Sequence, residues 1–222
     1  HEARVFTRDQ LAPGHAVLIG SGNVGTTAAR VLMGLDARIT VMSIDLPRLS
    51  HLQELFGGRI ATRVATPQAV AGEVAGADLV ILSVLIPGAA TPHVMTREMV
   101  RSMGPGAVLV DVSIDQGGAA ETSRATTHSD PIYVEEGVVH YCVSNMPGAV
   151  PHTSTQALTN ATLPYVQALA DAALDAALRT DPGIAQALST WRGQLVHRPV
   201  AEEFGLPAAP NPFLQEQRQA SR

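Results

Sequence analysis

Four apolar runs of strand length, separated by longer helix-like segments, restrict this chain to one kind of architecture. The runs are AVLIG ending at Gly20, RITVMS ending at Ser43, DLVILSV ending at Val84 and GAVLVD ending at Asp111. Each is nearly continuous in Val, Ile and Leu, the pattern of strands covered by helices on both faces. Helix candidates lie between them, at Val24 to Leu35, Pro47 to Phe56, Pro67 to Ala75 and Thr96 to Met103. Pro47 and Pro67 suit a first helical turn, where no intrahelical hydrogen bond is lost, and Gly104, Pro105 and Gly106 end the fourth segment. Strand and helix in regular alternation predict an α/β fold, a doubly wound parallel sheet with right-handed crossovers.

Beyond Asp111 the pattern changes. A loop-rich stretch from Asp115 to Gly137 precedes a further strand candidate, VVHYCVSN. An Ala- and Leu-rich segment from Thr153 to Leu178 then reads as one long helix kinked near Pro164. After Thr180 come Pro182, Pro199, Pro207, Pro210 and Pro212, which predict short helices joined by extended links, with a frayed polar end from Gln215. The expected organisation is a first domain over 1–150 and, over 151–222, a linking helix with the C-terminal part of an incomplete second domain.

Composition narrows the class of function. With 45% hydrophobic and 16% charged residues the chain can bury a core. A net charge of -5 gives no electrostatic reason to expect nucleic acid or an anionic membrane as partner. No apolar run reaches the ~18 residues that a spanning helix needs, so a small-molecule ligand is the expected partner. Cys142 is the only cysteine, which rules out an intrachain disulfide and a thiolate-only metal site and suits a reducing cytoplasm. No His or Cys spacing matches a metal motif, and no metal is expected. All 15 of the Lys and Arg residues are Arg. A chain without lysine offers no amine as base or Schiff-base former.

Gly20, Ser21, Gly22, Asn23, Val24 and Gly25 form a G-x-G-x-x-G run between the first strand and the first helix. In that context the glycines serve a tight turn, a close approach of backbone to a pyrophosphate and close helix packing, while the helix N-terminus faces the phosphates. The motif makes the sheet Rossmann-like and the first domain dinucleotide-binding. An acidic residue usually meets the ribose 2′-hydroxyl at the end of the second strand. Ser43 stands there, with Asp45 two residues on and Arg48 five on. Either the acidic contact has moved to Asp45, or the site has relaxed toward a 2′-phosphate held by Arg48, or both residues are the solvated start of the next helix. Asp115 lies just past the fourth strand, where ligands bind in open α/β sheets. It either faces the nicotinamide and orients substrate or water, or caps a turn. His140 alternates with apolar residues and reads as a satisfied core histidine; His128 is ambiguous.

The segments GSGNVGTTAARVLMGLDARITV and IDQGGAAETSRATTHSDPIYVEEGVVHYCVSNMPGAVPHTSTQALTNATLPYV closely resemble bacterial alanine dehydrogenases, and the likeness runs from about His15 to Leu206. The alpha subunit of proton-translocating transhydrogenase resembles these enzymes in fold but usually carries Glu where Asp115 stands. The resemblance implies NAD-dependent, reversible oxidative deamination of L-alanine to pyruvate and ammonium, in a cytoplasmic homohexamer. It implies that residues 20–25 hold the pyrophosphate, that Val84 and Leu85 flank the nucleotide with Ile114, and that Asp115 is the catalytic carboxylate. Asn145 and Met146 would close the nicotinamide end of the cleft. Ser43 departs from the family's Asp, Arg48 matches a basic residue near the adenosine, and Ala90 replaces a common Lys. The family's catalytic lysine and histidine, and its substrate-clamping arginine, precede the first strand, and only fourteen residues precede His15 here. The expectation is therefore a truncated record of an enzyme, favoured by the start at His1. A nucleotide-binding remnant or a partner subunit completed by another chain are the alternatives, and no activity is expected of the isolated chain.

Overall fold

The structure, a computed structural model, describes residues 13–214, so the expected fraying from Gln215 lies outside the described residues. The chain divides into two compact units, one of residues 13–85 and 91–146 and one of residues 86–90 and 147–214.

The first unit is a sheet flanked by helices. Its elements in order are β1 (His15–Ile19), α1 (Asn23–Gly34), β2 (Arg38–Ser43), α2 (Leu46–Leu55), β3 (Ala61–Val64), α3 (Pro67–Val74), β4 (Leu79–Leu82), α4 (Arg97–Ser102), β5 (Val108–Asp111), β6 (Ile132–Glu135) and β7 (Val138–Tyr141). The strand order is β3-β2-β1-β4-β5-β7-β6, parallel throughout except that β6 runs against β7. This is the doubly wound α/β arrangement expected from the apolar runs. The winding reverses between β1 and β4, the place where open sheets of this kind leave a crevice at their carboxyl edge. Register brings the strand ends level there, with Ile19 opposite both Met42 and Leu82.

Both faces are covered, which accounts for runs without polar alternation. Val17 and Ile19 pack with Val70, Val74, Leu82 and Val100 on one side. Leu18, from the same strand, packs with Ile39, Val41, Leu49, Leu52 and Phe56 on the other. Two strands depart from the sequence reading. Neither β3 nor β6 was expected, and both are edge strands with half or more of their residues facing solvent.

The second unit holds α5 (Pro151–Asp171), α6 (Leu174–Thr180), α7 (Pro182–Ala187), β8 (Thr190–Trp191), β9 (Gln194–Leu195) and α8 (Arg198–Glu203). The helix expected to run from Thr153 to Leu178 is two helices, and the break is not at Pro164. That proline lies inside α5, while Ala172 leaves helical geometry with φ −113° and ψ 155°. The links also contain an unforeseen hairpin, β8 with β9, turning through Arg192 and Gly193 at φ +48° and +79°, the double positive φ of a type I′ turn. Ala177, Leu178, Ile184, Ala185 and Phe213 form this unit's core, and Trp191 meets the Phe213 ring edge-on at 5.0 Å.

Candidate functional site

The glycine loop after β1 shows three different demands on three glycines. Gly20 has φ +120°, and a Cβ there would lie 2.4 Å from the Ser83 carbonyl oxygen. A Cβ on Gly25 would lie 2.1 Å from the Gly20 carbonyl oxygen, so the first turn of α1 closes directly on the loop. A Cβ on Gly22 would meet nothing within 4 Å. Fold geometry therefore explains the first and last glycines, whereas the middle one borders open space. Asn23 and Val24 beside it are exposed.

The helix that starts at this loop is left open to an anion. Asp45, Thr66 and Thr96 cap α2, α3 and α4 through their side chains. The N-cap of α1 is Gly22, which has no side chain to offer, and its first turn carries no acidic residue. Unpaired N–H groups and the positive end of the helix dipole then face the crevice.

Four residues named from the sequence converge beside that loop. Ser21 Oγ donates to Ser43 Oγ at 2.8 Å, and Ser43 Oγ also accepts from the Asp45 N–H at 3.2 Å. Asp45 Oδ1 accepts from the Arg48 N–H at 3.0 Å as the cap of α2. Arg48 is more than a solvated helix start, because its Nε donates to the Ser21 carbonyl at 2.9 Å.

The other candidates follow β4, β5 and β7 to the same edge. Val84 is half-buried, its carbonyl accepting from Ser113 Oγ at 2.8 Å, and Leu85 is exposed. A 3-10 turn, Val112–Gln116, carries Ile114 inward, where it is buried, and Asp115 outward. Asp115 does not cap that turn; Asp111 does, accepting from the Ser113 N–H at 2.9 Å. Asp115 instead accepts from the Asn145 N–H, at 3.1 Å to Oδ1 and 3.3 Å to Oδ2. Asn145 has φ +52°, a conformation that Asn tolerates better than most residues. Its carbonyl accepts from His128 Nε2 at 3.1 Å, which gives the ambiguous histidine a place, and Met146 follows, half-buried.

Asp111 is the residue that the sequence reading missed. It is fully buried, and besides the Ser113 N–H it accepts from the Ala119 N–H at 2.6 Å and Ser123 Oγ at 2.5 Å. Gly118, at φ +86°, lies against it: a Cβ there would come within 2.7 Å of Ser123 Cβ and 3.1 Å of Asp111 Oδ2. One carboxylate thus ties the end of β5 to the turn bearing Asp115. The available signal was an acidic residue closing an apolar strand just before a Gly pair.

His140 belongs to the core. It is fully buried, its Nδ1 donates to the Val138 carbonyl at 2.9 Å, and its Nε2 accepts from Thr122 Oγ at 2.8 Å. Tyr133 stacks on the ring at 4.8 Å. Burial pushes the imidazole pKa below its usual 6.5. The Cys142 thiol is pushed up, again by burial first. Neither group is poised for chemistry. Among the described residues no group of His, Cys, Asp and Glu is arranged to hold a metal ion, and no helix is long and apolar enough to cross a membrane.

The open volume at Gly22 and the uncapped start of α1 fit a dinucleotide pyrophosphate. Comparison with known proteins agrees. Residues 7–198 match the family described as "Alanine dehydrogenase/PNT, C-terminal domain". An alanine dehydrogenase of Halomonas elongata is 53% identical over 196 residues, which is 88% of this chain and 53% of that protein. One from Mycolicibacterium smegmatis is 48% identical over 197 residues, 89% of this chain and 53% of the relative. The chain thus spans about half the length of the curated relatives it matches. A solved L-alanine dehydrogenase superposes with TM-score 0.77 at 46% identity, covering 87% of this chain and 53% of that one. A transhydrogenase from Sinorhizobium meliloti follows with TM-score 0.60 at 25% identity, over 68% of this chain and 43% of that one. On the match over residues 7–198 and these identities, the chain belongs to the alanine dehydrogenase/PNT family, as its C-terminal domain.

Proposed function

We propose that this chain is the nucleotide-binding half of an NAD-dependent alanine dehydrogenase, which converts L-alanine reversibly to pyruvate and ammonium. The observation that carries this reading is the uncapped N-terminus of α1 at the carboxyl end of β1, behind a Gly22 where an added Cβ would meet nothing within 4 Å. NAD, when bound, supplies the hydride acceptor.

The chain's own residues then bind and orient. Backbone N–H groups of Ser21 to Gly25 receive the pyrophosphate, and Ser43, Asp45 and Arg48 surround the adenosine ribose. Val84, Leu85 and Ile114 form the nucleotide wall, Ile114 through its backbone, since its side chain is buried. Asp115 faces the reacting centre as an exposed carboxylate, held in orientation by the Asn145 N–H, and accepts a hydrogen bond from substrate or attacking water. Asn145 and Met146 close the nicotinamide end. Residues 1–150 serve as the dinucleotide-binding domain, and residues 151–222 supply a linking helix and the C-terminal part of the substrate domain. The working enzyme is a cytoplasmic homo-oligomer, a hexamer by likeness to the family.

Calorimetric titration of NADH into the chain tests the binding half of this reading. Saturable binding with one site per chain is the expected result. No heat of binding at millimolar NADH, from a chain whose circular dichroism reports a folded α/β protein, would remove the assignment.

A further inference from the structure

In dinucleotide-binding sheets the 2′ position of the adenosine ribose meets the carboxyl end of the second strand, through a carboxylate where NAD is taken and an arginine where a 2′-phosphate is taken. Here β2 ends on Ser43, a hydroxyl. It accepts from Ser21 Oγ at 2.8 Å and from the Asp45 N–H at 3.2 Å, which leaves its own hydrogen free to be donated. The carboxylate two residues on, Asp45, caps α2. Arg48 folds back on the glycine loop, its Nε fixed on the Ser21 carbonyl at 2.9 Å. That bond uses Nε alone, and no hydrogen bond to another described residue is made by the two terminal nitrogens. Among the described residues no ion pair engages it.

We propose that Ser43 and Arg48 admit a 2′-phosphate, so that the site takes NADP(H) about as well as NAD(H). The proposal rests on reading the glycine loop as a dinucleotide site. A carboxylate at position 43 would accept from the ribose hydroxyls and repel a doubly charged phosphate; a serine hydroxyl donates to either. The planar guanidinium, already oriented, presents paired N–H donors that match phosphate oxygens. The Asp45 carboxylate opposes a phosphate here, and the N-terminus of α2 that it caps offsets it.

The test titrates NADH and NADPH separately into the full 222-residue chain, then into S43D and R48Q. The proposal expects NADPH to bind the unaltered chain no more than about tenfold more weakly than NADH, one charge-assisted contact's worth of discrimination. S43D should shift the ratio of the two dissociation constants toward NADH by about tenfold or more, and R48Q should weaken NADPH more than NADH. A preference for NADH beyond tenfold in the unaltered chain overturns the proposal, as do variants that move both cofactors equally. Binding of NADH with exclusion of NADPH sinks this proposal alone, whereas binding of neither sinks the dinucleotide reading with it. R48Q keeps the test open if S43D misfolds.

Discussion

Gly22 and Gly25 lie three residues apart in one loop and respond to opposite constraints. A side chain at 22 meets nothing of the protein, and its φ of −71° is ordinary for any residue. Gly22→Val is therefore expected to leave the melting temperature within a degree or two while abolishing NADH binding, because the added methyls occupy the pyrophosphate's space. Undiminished NADH binding by a folded Gly22→Val protein would refute the loop assignment. At 25 a Cβ would sit 2.1 Å from a backbone oxygen, which cannot swing away as a side chain can. Alanine gains about 1 kcal/mol over glycine in helix propensity, but overpacking against fixed backbone costs about 1–3 kcal/mol. Gly25→Ala should lower stability in urea titration, and a stabilised variant would show that the loop relaxes. Asp111 marks the limit of legibility at this scale. The sequence reveals an acidic residue at a strand end, but its three donors come from residues 113, 119 and 123, whose convergence depends on a loop without periodicity. Asp111→Ala leaves buried donors unpaired and is expected to cost about 3 kcal/mol or more, seen as a fall in the urea midpoint. A loss under 1 kcal/mol would mean that water replaces the carboxylate.

Among elements, the strands and helices that announced themselves were those whose burial repeats along the chain. Apolar runs without alternation marked β1, β2, β4 and β5 because both faces of those strands are covered. The edge strands β3 and β6 carry no such run. The Ala-Thr-Arg-Val of β3 is mostly exposed, and β6 alternates only through four residues inside a loop-rich stretch. In α5 composition misled in the other direction. The Ala- and Leu-rich run suggested one helix as far as Leu178, yet α5 ends at Asp171, seven residues after Pro164, where Ala172 turns to extended backbone. The β6–β7 hairpin also buries His140, whose pKa is held down. Because folding lowers the His140 pKa below 6.5, the unfolded chain takes up a proton that the fold refuses. Its contribution is complete above pH 6.5 and is lost progressively as the pH falls below it. Urea midpoints of the wild type and His140→Gln, followed from neutral to mildly acid pH, should converge on acidification, since exposed carboxylates act equally on both. Parallel midpoint curves would show that this imidazole is protonated in the fold.

For the whole molecule the question is which part of the chemistry this chain can carry. It has an exposed carboxylate at the carboxyl edge of the sheet and no lysine among its 222 residues. It also aligns with only about half of each relative. On the proposed reading, the remaining acid–base groups and the clamp for the amino acid's carboxylate belong to the half of the enzyme with which it does not align. A positioned general acid or base contributes ~10²–10⁴-fold to rate, and fixing two reactants in line contributes more. The isolated chain, mixed with L-alanine and NAD, is therefore expected to bind nucleotide yet form no NADH above background. Fusing it to the N-terminal half of the Halomonas elongata relative should produce alanine-dependent NADH formation. In that fusion Asp115→Asn keeps the shape and one acceptor oxygen but loses the charge. It should lower kcat by ~10²-fold or more while the NADH dissociation constant stays within about twofold, since the group acts on the reacting atoms and not on the nucleotide. An unimpaired kcat would return Asp115 to the single duty the fold already gives it, fixing the Asn145 turn. Equal losses in kcat and NADH affinity would assign it to the nucleotide, and deamination by the isolated chain would show that its own carboxylates and histidines suffice.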